Sequence, residues 1–393
     1  MRSHRPEHSC ANTADDLDTR MMKRAIALSR KGEGRVEPNP MVGCVIVRAG
    51  RIIAEGYHRR FGGPHAEVQA LRQCPHKPRG ATVYVSLEPC CHQGRTPPCT
   101  EALIEAGVKR VVVALRDPNP AVHGRGIRQL YAAGVAVDVG LMDRESAEVL
   151  APFITYTKSS RPFVIAKWAQ SLDGKLATRT GQSKWISCEE SRRRVHRLRA
   201  RVDAILVGSQ TVKADDPLLT ARDVPLKRRA ARVVLDGRLR ISEKCRLVNT
   251  ADEIRTLVVT TAKQASTPKA KRLARKGIEI IACRRHRGHL ALEECLAGLA
   301  RRDVTNLLVE GGPTVLTALL EAELVDEAMV FIAPKLIGGR NSPTVLGGWS
   351  VERVDQALSP RSVHTQKSGV DTLHRLRFTD PLALAKGRRE SEK

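Results

Sequence analysis

Four residues in the first third of the chain have types and spacing suited to chemistry. His65 and Glu67 stand in Pro64-His65-Ala66-Glu67, Cys90 ends Glu88-Pro89-Cys90, and Cys99 ends Pro97-Pro98-Cys99. A catalytic zinc ion needs three protein ligands and one open position for water. One neutral imidazole and two thiolates supply the three, and the thiolate charges offset that of the metal. Water on such a site ionises near pH 7. Glu67, two residues from the histidine, can then shuttle a proton without touching the metal. This is equipment for hydrolytic loss of an amino group from a heterocyclic ring. A closed structural site would need a fourth ligand, for which Cys91 and His92 are the nearby candidates.

Such residues need elements that end where they begin. A helix is expected from His65 to about Leu71, the strand ATVYVSL ends just before Cys90, and PPCTEALIEAG reads as a helix opened by proline and closed by Gly107. Helix starts expose N–H groups that stabilise thiolates. Two helix starts and a strand exit can converge at one edge of a parallel sheet. Around them, Leu17, Met21, Ala25 and Leu28 recur at helical spacing after Asp15 and Asp16, a candidate cap. MVGCVIV and RIIAEG read as strands about an Ala49-Gly50 turn, and RVVVAL, the helix GIRQLYAAG and VAVDVG follow. Strands alternating with helices predict a largely parallel sheet between helical layers.

At 393 residues the chain suggests two domains. A helix over 143–157 leads into the polar, proline-containing SSRPF, which places the boundary near Ser159 and gives domains 1–158 and 159–393. The second begins with the strand PFVIAKWAQ and a helix from Ser187, with Glu190 completing a capping-box signature. DAILVG, ARVVLD, TLVVT, IEIIA and NLLVEGG are further strands, and the final AKGRRESEK reads as a frayed tail. No GxGxxG fingerprint is present. Gly311-Gly312, between a strand and a helix, can cradle a phosphate, but a turn of this kind is more often plain architecture.

The formal charge of +25 favours anionic partners. The arginines 192, 193, 194, 197, 199 and 201 cover most of a helix circumference rather than one stripe, so most of the excess reads as solvated surface. Aromatics at 3% leave little for a base-stacking platform, which counts against nucleic acid as a partner. Ten cysteines in a chain this long are not a disulfide framework. MRSHRPEHSC lacks the apolar stretch of a secretory signal, and no uncharged run approaches the length of a membrane span. A cytoplasmic protein with no membrane partner is expected.

With these residues in view, the chain resembles the cytidine-deaminase-like superfamily. More closely, and over nearly its whole length, it resembles the bifunctional deaminase–reductase family of riboflavin biosynthesis. The first half carries this in Pro38-Asn39-Pro40-Met41-Val42-Gly43, Glu55-Gly56-Tyr57-His58, HAE, EPCCHQGRTPPC and RDPNP. Eight residues separate Cys90 from Cys99, where nucleoside and nucleic-acid deaminases typically have two. The second half is similar to the family's reductase domain, related to dihydrofolate reductase, in Lys167, Ser171-Leu172-Asp173-Gly174-Lys175, Ser183-Lys184-Trp185, Thr211 to Pro217, Glu310 to Thr314 and Ala333 to Gly339. Cys91 stands where the family usually has serine, and Gly63 where an acidic residue is common.

The resemblance implies an α/β protein: an N-terminal cytidine-deaminase-like three-layer domain and a C-terminal dihydrofolate-reductase-like domain. It implies that His65, Cys90 and Cys99 hold zinc, that Glu67 is the acid/base, and that Asn39 and His58 meet the substrate. In the second half Ala169, Trp185, Thr211, Asp215 and the turn Gly312, Pro313, Thr314 would line NADPH. Ser183, Arg199, Leu219, Arg222 and Glu310 would meet the substrate, with Arg199 and Arg222 suited to its ribose phosphate. Lys167, Asp215 and Glu310 are candidates for positioning or proton transfer there, their roles undivided. The implied substrate is a phosphorylated aminopyrimidine, deaminated and then reduced at its ribosyl chain, by a homo-oligomer (dimer or tetramer). Rival readings are a tRNA or polynucleotide deaminase, and a non-catalytic RNA-binding module with a relic zinc site. The long Cys90–Cys99 loop counts against the first, and the intact Glu67 against the second.

Overall fold

A computed structural model describes residues 11–94, 96–286 and 288–387. Chain contacts divide it into a first unit that runs to Lys158 and takes in the segment from Pro381, and a second spanning Ser159–Asp380. The second unit therefore stops short of the end expected for it. The helix Pro381–Ala385 buries Leu382 and Ala385 in the first unit instead. Of the tail expected to fray, residues 388–393 lie outside the described residues.

The first unit opens with α1 (Ala11–Ser29), which starts ahead of Asp15 and Asp16, so that pair lies inside the helix rather than at its cap. β1 (Gly43–Arg48) and β2 (Arg51–Tyr57) form a hairpin whose turn residues Ala49 and Gly50 both have positive φ, 50° and 73°. That geometry matches the twist of the paired strands. β3 (Thr82–Leu87), β4 (Arg110–Leu115) and β5 (Ala136–Val139) complete a sheet of order β2-β1-β3-β4-β5. β3, β4 and β5 run parallel, but β1 is antiparallel to both its neighbours. The sheet is thus mixed rather than largely parallel, because a two-residue turn can only reverse the chain.

Alternation along the strands makes three layers. Cys44, Ile46, Val83, Val85, Val111 and Val113 pack with α2 (Ala66–Gln73) and α3 (Cys99–Glu105). Val45, Val47, Tyr84 and Val112 pack with α1 on the other face. A Cβ at Gly56 would lie 2.3 Å from Ala66 O and 2.4 Å from Ala70 N. Only glycine lets α2, and with it His65 and Glu67, lie so close to β2. α4 (Arg125–Ala132) and α5 (Asp143–Ser159) follow.

The second unit is built on β6 (Phe163–Ser171), α6 (Glu189–Arg199), β7 (Ala204–Gly208), α7 (Ser209–Asp215), β8 (Ala231–Leu235), β9 (Thr256–Thr261) and β10 (Ile278–Cys283). A short ribbon, β11 (Arg285–His286) with β12 (His289–Leu290), precedes β13 (Asn306–Val309), β14 (Glu327–Ala333), β15 (Ser362–Ser368) and β16 (Asp371–Arg377). The main sheet has the order β10-β9-β8-β7-β13-β6-β14-β16-β15. It is parallel through β14 and antiparallel across β14, β16 and β15. Val164, Leu206, Val233, Leu257 and Leu307 form its core with the helix Pro313–Glu321.

The capping box expected at Ser187 and Glu190 is not formed: Cys188 is the N-cap of α6 and its side chain makes no capping bond. Asp371, at the start of β16, caps the helix from a distance. Its Oδ2 accepts from Cys188 N at 2.8 Å and from Ser191 Oγ at 2.6 Å. A carboxylate at a helix start satisfies orphan N–H groups whatever its place in sequence. No helix among the described residues is long and apolar enough to cross a membrane.

Candidate active sites

His65 is the N-cap of α2 and Cys99 the first residue of α3, while Cys90 follows the exit of β3. Their ligand atoms all lie within 4.8 Å of one another. His65 Nδ1 is 3.4 Å from Cys90 Sγ and 3.3 Å from Cys99 Sγ. Cys99 N donates to Cys90 Sγ, and Thr100 N and Oγ1 to Cys90 O, so the start of α3 clasps the loop that carries Cys90. Hydrogen bonds from the Cys99 thiol and from His65 hold the Cys90 thiol well below its usual range. Among the described residues no fourth cysteine, histidine or carboxylate joins the cluster, and neither Cys91 nor His92 is part of it. One imidazole, two sulfurs and no fourth ligand fit a zinc ion with one position left open.

Glu67, in the first turn of α2, is 3% exposed, and burial pushes its carboxyl up to about 7. It faces a cavity of about 280 Å³ walled also by Asn39, His58, His65, Cys90 and Phe153. His58 Nδ1 lies 3.1 Å from Pro64 O, a carbonyl that can only accept, so Nδ1 carries the proton. Nε2 then accepts from Asn39 Nδ2 at 3.3 Å. Burial lowers the His58 pKa, in keeping with a neutral ring. The two residues expected to meet the substrate therefore stand side by side in the cavity wall, oriented by a backbone carbonyl.

Two residues to which sequence reasoning gave no role complete this site. Buried Glu88 accepts from Asp117 N and Gly124 N through Oε2 and from Gly126 N and Ile127 N through Oε1, at 2.9–3.3 Å. It ties the 117–127 loop to the loop of Cys90. A Cβ at Gly126 would lie 2.1 Å from Pro89 O, so that approach requires glycine. Asp117 lines the cavity, and burial, with Glu88 nearby, pushes its carboxyl up to about 7. The available signals were the RDPNP run and the glutamate of Glu88-Pro89-Cys90.

In the second unit a cleft of about 930 Å³ brings together eleven of the thirteen expected residues: Lys167, Ala169, Ser183, Trp185, Arg199, Thr211, Asp215, Arg222, Glu310, Gly312 and Pro313. Leu219 and Thr314 are not in its wall. Leu219 is 5% exposed with φ 52°, beneath the surface, and Thr314 is exposed as the second residue of its helix. Arg199 does not stand open to a phosphate. It pairs with Glu310 through Nε and Nη2, and its Nη1 donates to Thr220 O. Burial lowers the Lys167 pKa, Glu310 opposing it. Asp215 is 3.5 Å from Lys184 Nζ at the rim, and the Arg192 guanidinium stacks 4.6 Å over the Trp185 ring. Gly312 is the N-cap of its helix, and a Cβ there would sit 3.4 Å from Thr211 Oγ1. Asp173 accepts from Ile337 N and Gly338 N, joining two motifs far apart in sequence.

Residues 15–115 match the cytidine and deoxycytidylate deaminase zinc-binding region, and residues 162–374 match the RibD C-terminal domain. The chain is 43% identical over 362 residues to the riboflavin biosynthesis protein RibD of Actinobacillus pleuropneumoniae, covering 92% of this chain and 95% of that one. It is 43% identical over 356 residues to RibD of Aquifex aeolicus, covering 91% and 97%. A diaminohydroxyphosphoribosylaminopyrimidine deaminase/5-amino-6-(5-phosphoribosylamino)uracil reductase structure from Thermotoga maritima superposes with TM-score 0.82 at 38% identity, covering 93% of this chain and 100% of that one. Acinetobacter baumannii RibD, form 1, gives TM-score 0.83 at 35% identity, covering 93% and 99%.

Proposed function

The chain belongs to the RibD family of bifunctional riboflavin-biosynthesis enzymes, and on that premise we propose which of its residues carry each reaction. The first unit deaminates 2,5-diamino-6-(5-phosphoribosylamino)pyrimidin-4(3H)-one: water replaces the 2-amino group and ammonia leaves. The second reduces the ribosyl chain of that product with NADPH, giving 5-amino-6-(5-phosphoribitylamino)uracil. The observation that carries this reading is the His65, Cys90 and Cys99 cluster with buried Glu67 beside it, in one chain with the cleft of Lys167 and Glu310.

A zinc ion held by His65, Cys90 and Cys99 supplies a water made acidic enough to react near neutral pH. Glu67, with a carboxyl poised near 7, holds the proton and passes it to the departing nitrogen. Asn39 and neutral His58 orient the ring edge from the same wall. The buried setting keeps bulk water from competing.

In the second cleft Thr211, Gly312 and Pro313 would hold the phosphates of NADPH, with Ala169, Trp185 and Asp215 along the same wall, and the cofactor when bound would supply a hydride to C1′ of the opened ribose. Lys167, buried beside Glu310, and Asp215 at the rim are the candidates for positioning and proton delivery. Because Glu310 holds Arg199, Arg222 is the freer choice for the substrate phosphate, with Ser183 in the same cleft wall. Leu219 for the substrate and Thr314, which follows Gly312 and Pro313, for the cofactor complete the assignment. We place the enzyme in the cytoplasm as a homo-oligomer, dimer or tetramer, which light scattering on purified protein checks.

The test is incubation of purified protein with the diaminopyrimidine phosphate, with and without NADPH. Ammonia should appear in both, and NADPH absorbance should fall only after deamination. Ammonia without NADPH oxidation would leave the second assignment without support.

A further inference from the structure

The last described segment of the chain is built into the first unit. The helix Pro381–Ala385 buries Leu382 and Ala385, 8% and 5% exposed, against Leu87, Leu115, Leu150 and Ile154. Lys386 Nζ reaches Asp143 Oδ2 at 2.8 Å, beside the start of α5. Both matched regions end earlier in sequence, at residues 115 and 374.

This cluster sits under the site. Leu87 is the last residue of β3 and leads through Glu88 and Pro89 to Cys90. Leu115 is the last residue of β4 and leads to Asp117. Val42 and Phe153 pack against the same cluster. Val42, Leu87 and Phe153 also line the cavity that holds Glu67. The apolar part of the cavity wall is therefore backed by side chains from the opposite end of the chain.

We propose that Leu382 is a positioning residue for the deamination: it sets Leu87 and Phe153 as the apolar wall against which the pyrimidine ring lies. The inference rests on the reading of the first unit as an aminopyrimidine deaminase. Core side chains are close-packed, so removing the Leu382 isobutyl group leaves a hole into which its neighbours relax. A wall displaced by about 1 Å misorients the ring and can cost up to roughly a hundredfold in kcat/KM. Two of the three metal ligands are held by other elements, His65 by α2 and Cys99 by α3, and the loop of Cys90 is clasped by Cys99 N and Thr100 Oγ1. Loss of Leu382 therefore shows in substrate affinity before it shows in metal content. A helix that merely stabilises the fold would instead lower the amount of active enzyme at constant KM.

The experiment uses the full chain with Leu382→Ala and Leu382→Met. Zinc content is measured, with kcat and KM for ammonia release from the diaminopyrimidine phosphate. NADPH oxidation is followed separately on the already deaminated substrate. Expected for Leu382→Ala is a KM for deamination raised roughly tenfold, with zinc content and NADPH oxidation unchanged. Leu382→Met, nearly equal in volume, should return KM to within about twofold of wild type. If the alanine protein does not fold, Leu382→Val carries the same test with a smaller hole. An unchanged KM in a folded variant overturns the proposal, as does a rise that comes only with loss of zinc or of NADPH oxidation. A wild-type protein that releases no ammonia would overturn the functional reading itself, whereas an active wild type with indifferent variants overturns only this inference.

Discussion

Arg199 and Glu310 meet through two parallel contacts, Nε to Oε1 at 2.6 Å and Nη2 to Oε2 at 2.7 Å, with side chains only 16% and 10% exposed. Burial alone would raise the Glu310 carboxyl, but Arg199 outweighs it and the net value lies below the usual carboxylate range. The pair joins α6 to the exit of β13 and so fixes two walls of the second cleft.

Removing one partner of such a pair leaves a buried charge uncompensated. Arg199→Met or Glu310→Met alone should lower stability by about 3–5 kcal/mol, whereas replacing both partners by methionine should cost far less. Denaturant titration of the two single variants and the double variant gives the coupling. If the losses of the two single variants simply add in the double variant, the pair is not acting as a unit. NADPH oxidation should fall in the two variants that lack Glu310, since Lys167 relies on Glu310 to oppose its burial.

Glu67 is placed to move a proton, not to hold metal, since the three-residue cluster excludes it. Glu67→Gln keeps the shape and removes the titrating oxygen. Ammonia release should drop by roughly 10²–10⁴-fold, with zinc content near that of wild type. Single-turnover ammonia assays beside metal analysis decide it. Deamination at the wild-type rate would sink the assigned role.

Metal removal should separate the two activities. The His65, Cys90 and Cys99 cluster is the one group of this kind among the described residues, and it lies in the first unit. Dialysis against a strong chelator should abolish ammonia release and spare NADPH oxidation on the deaminated substrate. Added zinc should restore the first activity. Parallel loss of both would show that the second cleft depends on the metal.

How far sequence led depended on how local each feature was. The metal ligands were readable because ligand chemistry and spacing sit within one short stretch, bracketed by prolines that start helices. The strands up to β13, apart from the two-residue β11 and β12, were readable from apolar runs. β14, β15 and β16 were not read as strands: β15, SVHTQKS, has almost no buried face and is held by its hairpin partner. The C-terminal helix escaped because five residues show no period. Asp371 capping α6 and Glu88 gathering the 117–127 loop are contacts between distant segments. Family likeness pointed to Leu219 and Thr314 as positions, but it carries no information on which way a side chain faces.

The pH dependence of stability offers a last test, through Asp117. Its side chain is 6% exposed, and burial, helped by Glu88 nearby, pushes its carboxyl from 3.8 up to about 7. A raised acid binds its proton more tightly folded than unfolded. Its contribution is therefore fully present below about pH 4 and is lost as pH rises through about 7. A tenfold tighter hold on the proton in the folded protein is worth about 1.4 kcal/mol, so the full swing is of the order of a few kcal/mol. Asp117→Asn cannot ionise and should remove that slope. Thermal midpoints of the zinc-loaded wild type and variant, taken between about pH 4 and 8, should draw apart as pH rises, the variant becoming relatively more stable. Parallel curves would mean that Asp117 stays ionised in the folded protein, paired with a donor in the cavity beside Glu67.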